Sequence, residues 1–304
     1  MVRRGLAVAL IASMTIVSVS ACATSRPASS AGRRAPVEIV AAENFWGSIA
    51  AQIGGVDVDV VSIIDNPSAD PHDYEPTAAD ARAVDGADVV IGNGIGYDPW
   101  FGKLVDSDPD KPISIDVGDV VGKHAGDNPH QWYSPTSVNA VIDRITAALT
   151  EAAPDRSADF AAGRQQFVSG GLALYRQLID TIKQDYSGVP VGASESIFAP
   201  LAVDLGLDLV TPAGMLSAVS EGSDPTVAEK ATADRQIAQH QIKVWVYNDQ
   251  NATPDVTRLT EAARRQGIPV VTITETLTPA GASFQDWQAA QLVRLQAALA
   301  AATR

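Results

Sequence analysis

The sequence is poor in cysteine, with one, Cys22, in 304 residues. A lone cysteine cannot form an internal disulfide, which excludes a disulfide-stapled scaffold. Histidine is nearly as scarce, at four residues. Positive charge is also short: 22 Lys and Arg stand against 36 Asp and Glu, for a net charge of −14. With no basic cluster in its body the chain is a poor nucleic-acid binder, because phosphate contacts need Lys and Arg on one face. Several motifs are missing too. There is no Walker A loop, no HExxH and no GxSxG, and "GNGIG" (residues 92–96) lacks the third spaced glycine of a dinucleotide fingerprint. Hydrophobic residues make up 46% of the chain, enough for a sizeable core.

Only one apolar run is long, and it lies at the N-terminus. In "MVRRGLAVALIASMTIVSVSAC", Arg3 and Arg4 precede an apolar stretch that ends in small residues. That pattern predicts a secretory signal over residues 1–21, with a single anchor helix as the alternative. "VSAC" resembles a bacterial lipobox, which makes Cys22 the expected lipid anchor. Each buried methylene of an acyl chain contributes about 0.8 kcal/mol, so several chains on Cys22 would hold the protein at a membrane, facing outward. Residues 22–36, rich in Ala, Ser, Pro and Arg, read as that cysteine followed by a flexible tether.

From Val37 on, short β-type runs alternate with helical spacing. Strands are expected over 37–42, 58–65, 88–94, 113–117, 189–194, 207–212, 243–248 and 269–277. Helices are expected over 45–54, 77–87 with Thr77 as N-cap, 134–152, 155–186, 197–206, 224–241, 253–267 and 283–302. The alternation predicts an α/β fold of two lobes, 37–154 and 188–304, each a mostly parallel sheet flanked by helices. One long helix over 155–187 joins them. Gly170 and Gly171 within it mark a bend or a close packing point, since each costs about 1 kcal/mol in a helix. No tandem repeat is visible in the sequence.

Two of the four histidines follow a proline and a short polar residue: "DPHDYEP" at 70–76 and "NPHQW" at 128–132. Each pair lies between an expected strand and the next helix, where open α/β sheets bind ligands. Proline stiffens the segment and sets the direction of the next side chain. An imidazole presented that way suits a transition metal, whereas a single such histidine reads equally as a hydrogen-bonded loop residue.

"DPHDYEPT", "NPHQW" followed by "SP", "SESIFAPLA" and "TITETL" together resemble the extracytoplasmic solute-binding proteins of zinc, manganese and iron ABC transporters. The likeness runs from about Val37 to the end of the chain. It implies the helical-backbone receptor fold and a divalent transition metal clamped between the lobes as transported ligand. It places the metal ligands at His72 and His130 in the first lobe and at Glu195 and Glu275 in the second. Asp249, in "YNDQ", is a reserve ligand or a residue that orients a histidine, and Asp70 could orient His72. His124 and His240 match no motif and read as surface. The resemblance further implies an ABC permease and its ATPase as partners, a monomer, and no catalysis. Many zinc members carry a His-rich loop before the second His motif; residues 121–127 hold a single histidine here. Together with oxygen ligands this leans the site toward Mn²⁺ or Fe²⁺, although such a site still holds Zn²⁺ tightly by the Irving–Williams order.

Two other readings compete. A receptor for a metal chelate would need an aromatic or basic pocket, for which Trp46, Trp100 and Trp132 are candidates. A secreted metallohydrolase would need an open coordination position and a general base.

Overall fold

Each short apolar run from Val37 onward becomes a strand followed by a helix, and the central strands of each sheet are the ones buried on both faces. The computed structural model describes residues 34–66, 74–108 and 111–303. The first lobe runs β1 (Val37–Glu43), α1 (Asn44–Gly54), β2 (Val58–Ile64), α2 (Ala78–Asp85), β3 (Val89–Gly92), α3 (Pro99–Ser107), β4 (Ile113–Asp116), α4 (Val117–Val121) and α5 (Pro135–Ala152). Its four strands are parallel, in the order β2-β1-β3-β4. The connection follows as α6 (Ser157–Gln166) and α7 (Ala173–Tyr186), joined through a π-turn over Phe167–Gly171. The second lobe runs β5 (Pro190–Ala193), α8 (Ala199–Asp204), β6 (Asp208–Leu209), α9 (Ala213–Ser220), α10 (Val227–Ala238), β7 (Val244–Asn248), α11 (Pro254–Arg265), β8 (Val270–Ile273) and α12 (Phe284–Ala302). Its strands are also parallel, in the order β6-β5-β7-β8. The α/β architecture of two parallel-sheet lobes is therefore as the sequence pattern implies.

The helix starts follow local chemistry. Thr77 and Thr226 each close a capping box, with Asp80 and Glu229 respectively, and Ser134, Thr253 and Ser283 cap α5, α11 and α12. Each such cap contributes about 1 kcal/mol. Gly170 and Gly171 fall inside the π-turn, where the Leu172 N–H reaches the Phe167 carbonyl at 2.8 Å. A Cβ on Gly171 would lie 3.0 Å from the Phe167 ring, so the glycine accommodates close packing at a helix irregularity.

Two expectations need correction. Helices α3, α4 and α9 were not anticipated: α4 is five residues long, too short to show a period, and α9 is apolar around most of its circumference. The strand expected over 269–277 ends at Ile273. β8 is an edge strand, and beyond it side-chain amides take over the backbone. Gln291 Oε1 accepts from the Thr274 N–H at 3.0 Å, Gln250 Oε1 from Glu275 at 2.5 Å and Thr276 at 3.1 Å, and Asn44 Oδ1 from Leu277 at 3.2 Å. The chain is thus drawn off the sheet just where Glu275 is presented.

The largest apolar cluster is continuous through both lobes, from Phe45 and Trp132 through Phe160 and Tyr175 to Phe198 and Trp287. Helix α12 packs on α7 and also reaches α1, where the Gln52 and Gln285 side chains exchange hydrogen bonds and Ser48 Oγ accepts from the Phe284 N–H. Tyr133 Oη donates to the Thr274 carbonyl at 2.8 Å across the same divide. A buried core with this many cross-links favours small displacements over a wide hinge. Among the described residues, no helix is long and apolar enough to cross a membrane.

Candidate metal centre

In both sheets the strand order reverses direction beside the first strand, and the carboxyl ends of the strands at such a switch point are where open α/β sheets bind ligands. Glu195 lies two residues past the end of β5, in extended backbone, and is almost fully buried. Asn248, the last residue of β7, is fully buried between two carboxylates. Its Nδ2 donates to Glu195 Oε1 and, at 2.9 Å, to Glu275 Oε1. The remaining carboxylate oxygens are also engaged: Asn251 Nδ2 donates to Glu195 Oε2 at 2.7 Å, and Tyr97 Oη, from the first lobe, donates to Glu275 Oε2 at 2.9 Å. The three donor groups that make these four hydrogen bonds are neutral, so they align the two acids without supplying a counter-charge. The Asn248 amide is itself oriented, because its Oδ1 accepts from the Gln250 N–H at 3.1 Å.

His130 comes to the same neighbourhood from the other lobe. It is fully buried, with its ring centroid 6.0 Å from that of Tyr97. Its Nδ1 lies 2.8 Å from Asn128 Oδ1. The orientation of that amide is decided by its other end, since Nδ2 donates to the Ser196 carbonyl at 2.7 Å, across the lobes and next to Glu195. An amide oxygen only accepts, so a neutral His130 carries its proton on Nδ1 and its lone pair on Nε2. That is the tautomer a metal ligand requires, with the outer partner already in place.

His72 and Asp70 lie outside the described residues, as does Cys22. Among the described residues, no three His, Cys, Asp or Glu side chains stand together at coordinating spacing. Asp249 is exposed, unlike the two glutamates, and Arg294 and Tyr247 are its electrostatic neighbours. Strand alternation explains this, because the inward position at the end of β7 belongs to Asn248. His124 and His240 are exposed. Trp46, Trp100 and Trp132 are core residues, with Trp132 stacked on Phe45 at 4.1 Å, so they offer no aromatic wall to a chelate.

The sequence reading missed Asn248, Asn251, Asn128 and Tyr97. Their signal was positional: each lies within five residues of a strand end or beside a proposed ligand. It also missed Glu43, the fully buried last residue of β1. Burial first, and then the neighbouring Asp98 carboxyl, push Glu43 well above the usual glutamate range. Burial also pushes Asp98 up to about 6, against the pull of the Asn93 and Gly94 N–H groups that it accepts at 2.7 Å each. Glu43 therefore takes up a proton on folding. A raised folded value means that stability falls as pH rises from the ordinary glutamate range toward it, by about 1.4 kcal/mol per pH unit. Glu43→Gln mimics the protonated acid and removes that dependence. In denaturant melts the variant is expected to exceed the wild type at pH 7, with the difference shrinking toward zero near pH 4. Identical curves at both pH values would show that Glu43 is charged in the fold.

The profile of the family described as zinc-uptake complex component A, periplasmic, matches residues 39–298. The chain belongs to that family. Among curated relatives, the iron-binding protein YfeA of Yersinia pestis is 29% identical over 209 residues, 65% of each chain. The zinc-binding lipoprotein AdcA of Streptococcus pneumoniae is 23% identical over 256 residues, 77% of this chain and 50% of its own length. The chain thus spans between half and two-thirds of the length of these two relatives. A manganese-bound variant of a periplasmic metal-binding protein from Candidatus Liberibacter asiaticus superposes with a TM-score of 0.72 at 20% identity, over 86% of this chain and 98% of that one. The solute-binding protein FpvC of Pseudomonas aeruginosa, in complex with Ni²⁺, does so with a TM-score of 0.71 at 19% identity, over 88% and 97%. At these identities the structural likeness establishes the shared two-lobe fold.

Proposed function

We propose that this member of the zinc-uptake component A family is an extracytoplasmic receptor that captures one divalent transition metal ion between its lobes and delivers it to an ABC permease. The observation that carries the reading is the pair of buried glutamates held on a single amide nitrogen, beside a histidine whose Nδ1 is tied back by Asn128. Two carboxylates at hydrogen-bond distance from one atom repel each other, and a cation relieves that repulsion. His130 and His72 supply imidazole nitrogen, while Glu195 and Glu275 supply oxygen, a set that suits Zn²⁺, Mn²⁺ or Fe²⁺. On capture, the carboxylate oxygens exchange neutral hydrogen-bond donors for the ion.

The names of relatives support the same class of ligand, since YfeA is called iron-binding and AdcA zinc-binding. Both are binding proteins, in line with a receptor rather than an enzyme. In this reading Cys22 anchors the chain, residues 22–36 tether it, lobes 37–154 and 188–304 hold the ion, and residues 155–187 set their spacing. The receptor acts as a monomer on a permease and its ATPase.

Calorimetric titration with Mn²⁺ and Zn²⁺ tests the proposal. Protons compete for the imidazoles, so binding should weaken as pH falls through about 6.5. Between pH 7.5 and pH 5 the loss should approach about 30-fold for each histidine ligand. Affinity unchanged over that range would exclude the two-histidine ligand set.

A further inference from the structure

The two sheets can be aligned through their central strands. Ala41 of β1 pairs with Ile91 of β3, and Ala193 of β5 pairs with Val246 of β7. Two residues beyond each of the first partners stand Glu43 and Glu195; two residues beyond each of the second stand Asn93 and Asn248. The lobes therefore carry the same Glu and Asn at the same register, a repeat that the sequence itself does not display. Both asparagines are fully buried. Asn248 holds the two glutamates. Asn93 is tied just as firmly but to a different target. Its Oδ1 accepts from Trp46 Nε1 at 3.1 Å, and indole nitrogen only donates, so the amide has one orientation. Its Nδ2 then donates to the Pro129 carbonyl at 3.0 Å. Its backbone is clamped by Asp98, which takes the N–H groups of Asn93 and Gly94 on its two oxygens.

We propose that Asn93 is a positioning residue for metal capture, the first-lobe counterpart of Asn248: by fixing the Pro129–His130 peptide it aims the His130 Nε2 lone pair into the cleft. The proposal rests on the metal-receptor reading for its functional consequence. The Pro129 ring removes one rotation of that segment, the Asn93 amide holds its carbonyl, and Asn128 holds the imidazole. Loss of Asn93 leaves the Pro129 carbonyl with the Gln131 N–H at 2.7 Å and without its side-chain donor, which loosens the segment to which the imidazole is bonded.

The test is imidazole nitrogen NMR on metal-free protein labelled at histidine, with the His130 signal assigned through His130→Gln. The wild type should show one tautomer, protonated on Nδ1. In Asn93→Ala the Asn128 bond keeps Nδ1 protonated, but the His130 nitrogen signals should shift and broaden as the ring loses its single orientation, and affinity for Mn²⁺ and Zn²⁺ should fall about 10–100-fold, the usual cost of losing a ligand's outer support. Asn93→Ser serves if the alanine variant folds poorly. Ile49→Val, a conservative core change one turn along α1 from Trp46, controls for general loosening and should leave both readouts within about twofold of wild type. An unchanged His130 spectrum in both Asn93 variants overturns the proposal, as does a shift of the same size in Ile49→Val. The NMR is read without metal, so a shift at His130 supports positioning even if titration finds no metal binding, in which event only the receptor reading falls.

Discussion

Glu195→Ala is expected to abolish tight metal capture while leaving the metal-free fold intact. Glu195 is almost wholly buried and shares the Asn248 amide with Glu275. Its removal deletes one of two oxygen-donor side chains and half of the negative charge that draws the ion. The affinity loss should exceed the roughly 10–100-fold that follows from losing a residue which only orients a ligand. The same change relieves repulsion between buried acids, so the metal-free melting temperature should hold or rise. A wild-type receptor at a thousandfold excess of metal over Kd gains about 4 kcal/mol from binding, which appears as a large upward shift on adding metal. The variant should show almost none. A variant that melts early without metal, yet still shifts on adding it, would assign Glu195 to the fold instead of the ion.

Asn248→Ala should give the opposite pattern. Here the two carboxylates survive but lose their common donor. Leaving a buried charged acceptor without its partner costs about 1–3 kcal/mol, and two acceptors are affected at once. The metal-free protein should therefore melt clearly below wild type. Bound metal replaces the missing donor, so the deficit should shrink on loading, while affinity falls about 10–100-fold because the acids are no longer pre-aligned. Melts recorded with and without Mn²⁺ separate the two effects. An equal deficit in both states would show that Asn248 serves packing alone.

The contrast between these residues also marks what was legible in the sequence. The β-α alternation, the cap at Thr77 and the bend or close packing point at Gly170 and Gly171 rest on local chemistry, which the sequence displays directly. Glu195 and Glu275 were placed by the resemblance of "SESIFAPLA" and "TITETL" to the family's motifs, since a carboxylate at a strand end reads by itself as a helix N-terminal acid or a solvated side chain. Asn248 was not, because a neutral amide beside Asp249 looks like the less reactive neighbour; only the alternation of the strand shows that Asn248 faces inward and Asp249 outward. The end of β8 was equally hidden, since its backbone is satisfied by Gln250, Gln291 and Asn44 from three separate segments. The matched Glu43–Asn93 and Glu195–Asn248 pairs appear only once the pairing register aligns the two sheets, because the intervening segments differ in length and composition.

The central claim is a single inter-lobe metal site, and metal content tests it most directly. The soluble chain from Ser25 onward is purified without chelator and its bound metals are measured by mass spectrometry, beside His72→Ala and Glu195→Ala. One equivalent of a transition metal in the wild type, lost in both variants, is the predicted result. A wild type that holds no metal after exposure to Mn²⁺, Fe²⁺ and Zn²⁺ in turn, or variants that retain a full equivalent, would contradict it.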